Sequence, residues 1–201
     1  MNANSEDMEL KDRLSLIETM IAEGRRSTGR HGWTFVLLGV AYYVAITWSR
    51  LAHYGMAWPI TMAAAVLLMV IIQRRQRIHA GRPPVTSMNR AIWSIWISMG
   101  ISMFVLLDAL GFSGRADWRA WAAVACTLIG AANGASSLAL KWKLQFACAV
   151  VWWAAAVVGC YGTETQCSIA FLAAIFLCQI VFGGWLMIAE SRDRRLEVEH
   201  A

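Results

Sequence analysis

Charge is scarce in this chain. Asp, Glu, Lys and Arg make up 15% of its 201 residues, against about a quarter in an ordinary soluble domain. Proline is scarcer still, at three residues, so little stands in the way of long uninterrupted helices. No HExxH, GxSxG, phosphate-loop or GxGxxG pattern occurs, which removes the common signatures of zinc proteases, serine hydrolases and nucleotide sites. No cysteine pair has zinc-ligand spacing. The histidines, His31, His53, His79 and His200, are scattered, and no two share a depth on facing segments as a haem clamp requires. No acid, base and metal constellation can be assembled, so neither an enzymatic activity nor a cofactor is expected.

What is abundant is apolar sequence, at 58% of residues. Uncharged runs fall at 31–49, 51–73, 91–107, 120–140, 144–163 and 165–189. A bilayer span needs roughly 20 mainly apolar residues, so the runs predict six spans, at about 32–51, 57–73, 90–111, 118–138, 143–161 and 164–189. The fold class is therefore all-α: an integral membrane protein of six transmembrane helices in three hairpins, preceded by a cytoplasmic amphipathic helix. Residues 1–28 form that helix and a basic linker, 29–190 the membrane domain and 191–201 a cytoplasmic tail. Residues 1–23 carry six acids and two bases and no uninterrupted apolar core, which is not the pattern of a signal peptide.

The bases are distributed unevenly. Of 18 Lys and Arg, only Arg50, Arg115 and Arg119 fall on one side of the spans, where Asp108, Asp117 and Glu164 balance them. The other fifteen lie on the opposite side, and the positive-inside rule makes that side cytoplasmic. Both termini are then cytoplasmic, as expected of the inner membrane of a bacterium. Tryptophan, which favours the membrane–water boundary, agrees: Trp33, Trp93, Trp96, Trp142 and Trp185 fall near one set of ends and Trp48, Trp58, Trp118 and Trp121 near the other. The basic stretch Arg74-Arg75-Gln76-Arg77 precedes Pro83-Pro84, which should stop span 2. It is short and holds no aromatic residue, so it suits anionic lipid and no nucleic-acid partner is expected. The plan of a cytoplasmic helix followed by three hairpins resembles that of other small bacterial inner-membrane proteins, in layout and not in motif.

Asp117 is placed to N-cap span 4, and Thr163 with Gln166 has capping-box spacing at the start of span 6. Span 4 is rich in small residues, with Ala123, Thr127, Gly130, Gly134 and Ser137 recurring on one face. Small residues let helices approach closely, so span 4 should be central, with the Ser94, Ser98 and Ser102 row of span 3 as a plausible partner. Four polar residues are candidates for an intramembrane role: Arg50 and Asp108 near the outer ends of spans 1 and 3, and Asn133 and Gln179 deeper in spans 4 and 6. Pairing between helices is the first reading for each; Asn133, Ser137 and Gln179 around a hydrated path is the second. Cys160 and Cys167 flank the outer joint between spans 5 and 6 and are expected to form a disulfide in an oxidising compartment. Trp152 and Trp153, about 100° apart on a helix, must face different neighbours.

In the N-terminal segment Leu10, Leu14, Ile17 and Ile21 recur at helical spacing among charged residues, an amphipathic stripe. Gly24 and the Gly29–Gly32 region allow a bend after it. The stripe packs under its own bundle or receives a protein partner or a second copy. The functional expectation is a non-enzymatic membrane protein that works through such partners. The alternative is a small transporter or channel lined by span 4 (Asn133, Ser137) and span 6 (Gln179).

Overall fold

The structure, a computed structural model, describes residues 3–30, 32–52, 56–80, 87–114 and 117–199. Side chains within those stretches are described except at 3–10, 26–27, 30, 77, 79–80, 107–108, 110–112 and 193–199. Pro83, Pro84, His31, His53 and His200 fall outside the described residues. Every regular element among them is helical: α1 (Ala3–Arg30), α2 (Gly32–Ala52), α3 (Ala57–Ala80), α4 (Ser87–Ser113), α5 (Trp118–Ala139), α6 (Lys143–Tyr161), α7 (Glu164–Ile175), a π-helical segment (Phe176–Val181) and α8 (Phe182–Glu199). The last three run on from one another, giving seven rods in all. Six of them are long and apolar enough to cross a membrane.

Local rules set the helix starts. The Asp117 side chain accepts from the Ala120 N–H at 2.8 Å. Thr163 and Gln166 form a complete capping box, with Thr163 N–H donating to Gln166 Oε1 at 2.8 Å and Gln166 N–H to Thr163 Oγ1 at 3.3 Å. Both caps satisfy N–H groups that have no partner within the helix. α3 continues beyond the apolar span through the basic stretch to Ala80, as expected of a helix with no breaker before Pro83. Charge alone does not terminate a helix, and Arg and Gln are good helix formers.

The α5–α6 joint is a Schellman turn. Trp142 N–H donates to the Ser137 carbonyl at 2.8 Å and Lys141 N–H to the Leu138 carbonyl at 3.2 Å. Lys141 takes the left-handed conformation, φ 49°, where glycine is favoured. Lys141→Gly should therefore stabilise the chain by about 1 kcal/mol, seen as a rise in the thermal midpoint of the solubilised protein.

The turn sends α6 back along α5 at close range. Cβ atoms built on Gly130 and Gly134 would stand 2.5 Å and 3.0 Å from the Trp153 ring, and one on Gly159 would stand 3.1 Å from Ala123 Cβ. A second close crossing joins α2 to α8. A Cβ on Gly32 would meet Leu186 Cβ at 2.7 Å, and one on Gly183 would meet Phe35 Cβ at 2.9 Å and the Gly32 carbonyl at 3.0 Å. Between these pairs lies an aromatic core in which Trp152, fully buried, meets Phe171 at 6.2 Å, and Phe171 meets Trp118 at 5.6 Å.

Burial ranks the helices. In α5, 61% of the apolar window is buried, against 11% in α3 and 6% in α4. α3 packs on α2 and α4 on α5, each by one edge. The Ser94, Ser98 and Ser102 row does not make the α4 contact, because all three are exposed. Trp96, Met99 and Met103 pack against the core from α4 instead. Bulk fills that gap, and serine offers too little surface to fill it.

Candidate functional site

The C-terminal half of α1 is docked. Ile21 is buried, and a Cβ on Gly24 would lie 2.7 Å from Leu140 Cδ2 and 2.9 Å from Met88 Cγ. α1 does not bend there; Gly24 serves close packing. The next residue, Arg25, reaches the end of α5, donating from Nε to the Leu140 carbonyl and from Nη2 to the Lys141 carbonyl, both at 2.6 Å. A cation on the last carbonyls of a helix complements its dipole, so Arg25 ties α1 to the α5–α6 joint. Farther out the stripe is uncovered. Leu14 is 54% and Ile17 51% exposed, with Leu16 beside them at 61%. The Leu10 side chain lies outside the described set.

Deeper in the bundle, polar groups mostly bond to their own helix. Asn133 Nδ2 donates to the Ile129 carbonyl at 3.0 Å, Ser137 Oγ to the Gly134 carbonyl at 2.7 Å and Thr127 Oγ1 to the Ala123 carbonyl at 2.8 Å. Ala123, Gly130, Gly134 and Ser137 are buried, whereas Thr127 is exposed and leaves the packing stripe. Gln179 is buried on the π-helical segment, its Cβ close under Gly39 of α2. Arg50 is exposed at the end of α2. With Glu164, Trp58 and Trp118 it lines a shallow cleft of about 240 Å³. Asp108 belongs to α4, and its side chain is outside the described set.

The expected Cys160–Cys167 bridge is not formed, and both thiols are free. Cys160 lies on an exposed face at the end of α6, while Cys167 turns into the core of α7. The two side chains thus face different surroundings, one toward the outside and one toward the core. Cys148 and Cys178 instead meet inside the bundle. The Cys178 thiol donates to the Cys148 carbonyl at 3.6 Å. Among the described residues, no three His, Cys, Asp or Glu side chains gather as a metal site would need.

Three features had no counterpart in the sequence pattern: the Arg25 tie, the π-helical segment and Gln145. Gln145 is fully buried three residues into α6. Standing near Lys143 it reads as an interfacial residue, yet it is one turn from Ala149 and two turns from Trp152 and shares their inward face. That spacing was the signal available. A scan against family models, a search of curated proteins and a search of solved structures each return no match.

Proposed function

We propose that this chain is a multi-pass protein of the bacterial inner membrane, with both termini in the cytoplasm, that works non-enzymatically by receiving a protein partner on α1. The observation that carries the reading is the half-covered stripe. Ile21 is buried at the base of α1, while Ile17 and Leu14, one and two turns outward, stay more than half exposed. Apolar faces on the six long helices are accounted for by lipid. α1 has a negative mean hydropathy and six acids before Gly24, so it suits water and not an anionic membrane surface. An apolar stripe on a water-facing acidic helix is the shape used in helix-to-helix or helix-in-groove recognition.

A path along α5 has less support. Asn133 and Ser137 are buried and give their donors to their own helix, which leaves little for a passing solute.

A photoreactive residue placed at Leu14 or Ile17 in growing cells tests the reading. A discrete protein adduct is expected at both positions, lost when the neighbouring stripe residue is changed to aspartate, with membrane insertion unaltered. Adducts with lipid alone would sink it.

A further inference from the structure

Ser136 Oγ, Gln145 Nε2 and Oε1, and Gln179 Oε1 are buried without a hydrogen-bond partner among the protein's atoms, as are the indole N–H groups of Trp33 and Trp152. Ser136, Gln145 and Gln179 are each at least 98% buried. An orphaned buried amide or hydroxyl costs several kcal/mol in an apolar surrounding, and native proteins rarely leave such groups unmet. Trp152 stands two turns, about 10 Å, beyond Gln145 on α6, but the four orphaned atoms of Ser136, Gln145 and Gln179 fall at one level and call for a shared explanation.

Packing brings them together. The Ala123–Gly159 and Gly134–Ala149 approaches set the register of α5 against α6, which carries Ser136 to within one turn of the level of Gln145. Gln145 and Trp152 flank Cys148 on the same face of α6, one turn to either side. The bond from the Cys178 thiol to the Cys148 carbonyl pins the π-helical segment at that point, with Gln179 next in sequence. Gln179 lies about 22 Å along the helix from Glu164, and Gln145 about 24 Å from Tyr161, so both stand at one depth. π-helical turns open the backbone locally and recur at functional sites.

The chemistry of the set selects its ligand. A cation would want acceptors only, and an anion donors only. Here Gln145 Oε1 and Gln179 Oε1 accept, Gln145 Nε2 donates, and Ser136 does both. Water, which donates twice and accepts twice, matches such a mixed set, and buried water typically makes about three bonds to groups otherwise unmet.

We propose that Ser136, Gln145 and Gln179 enclose an internal hydration site, in which ordered water bridges α5, α6 and the π-helical segment. The site is independent of the α1 stripe. It makes the π-helical segment a wet joint in an otherwise dry bundle.

X-ray footprinting of the full chain in lipid nanodiscs tests this, because X-rays split bound water in place and mark the side chains that touch it. Cys178, 3% exposed, borders the site, whereas Cys126, 1% exposed, is a comparably enclosed thiol about 15 Å along α5 from Ser136. Cys178 is expected to oxidise several-fold faster than Cys126. Gln145→Leu, or Gln179→Leu if the first does not fold, should bring it down to the Cys126 rate. Equal rates in the unaltered chain, or rates that neither substitution changes, overturn the proposal.

Discussion

Trp152→Ala is expected to destabilise the protein by about 3 kcal/mol, and the same change at the adjacent Trp153 by about 1 kcal/mol or less. The difference follows from direction alone. Trp152 is fully buried and in ring contact with Phe171, while Trp153 is 37% exposed and lies across Gly130 and Gly134. In a bilayer the unfolded helix leaves its side chains in lipid, so the usual water-to-interior transfer contributes little and packing dominates. Alanine at 152 empties a large volume that rigid neighbours cannot close. It also removes Nε1, one of the orphaned donors, which offsets part of the cost. Alanine at 153 opens a space that lipid refills. Unfolding of both variants in a common detergent, read by tryptophan fluorescence or protease resistance, measures the gap between them.

A second adjacent pair gives the next largest effect. Gly183→Leu should cost about 3 kcal/mol, whereas Gly184→Leu should be neutral or slightly stabilising, because glycine is a poor helix former. A Cβ at 183 would stand 2.9 Å from Phe35 Cβ and 3.0 Å from the Gly32 carbonyl, with no flexible tip to swing aside. α2 and α8 would have to move apart. At 184 no atom lies within 4 Å. Thermal aggregation of the two variants separates a packing contact at a helix crossing from a general intolerance of bulk near the end of the bundle. Equal losses at 183 and 184 would contradict the crossing.

These pairs mark where sequence reading reaches its limit. The six long apolar helices were legible because an uncharged run of about 20 residues has few alternatives. The Asp117 and Thr163–Gln166 caps were legible because a cap is decided within four residues. The central place of α5 showed in its small residues, which permit close approach. Faces were harder. A lipid-facing side and a protein-facing side are both apolar, so the amphipathic contrast that orients a soluble helix is missing. The Ser94, Ser98 and Ser102 row was misplaced for that reason. Gly183 and Gly184 look alike in sequence and differ only in which neighbour crosses them. The Cys160–Cys167 expectation rested on a short joint, which says nothing of the different exposure of the two thiols. Arg25 finds its carbonyl partner 115 residues away, beyond any local rule.

Docking of a partner on α1 requires that Leu14 lie in cytoplasmic water while the exposed Cys160 lies on the opposite side. Labelling with a membrane-impermeant maleimide measures both at once in a Leu14→Cys chain. In intact cells with the outer membrane made permeable, Cys160 should react and the thiol introduced at position 14 should not; in inverted vesicles the order should reverse. Reaction of the introduced thiol from outside, or from neither side, would contradict the account.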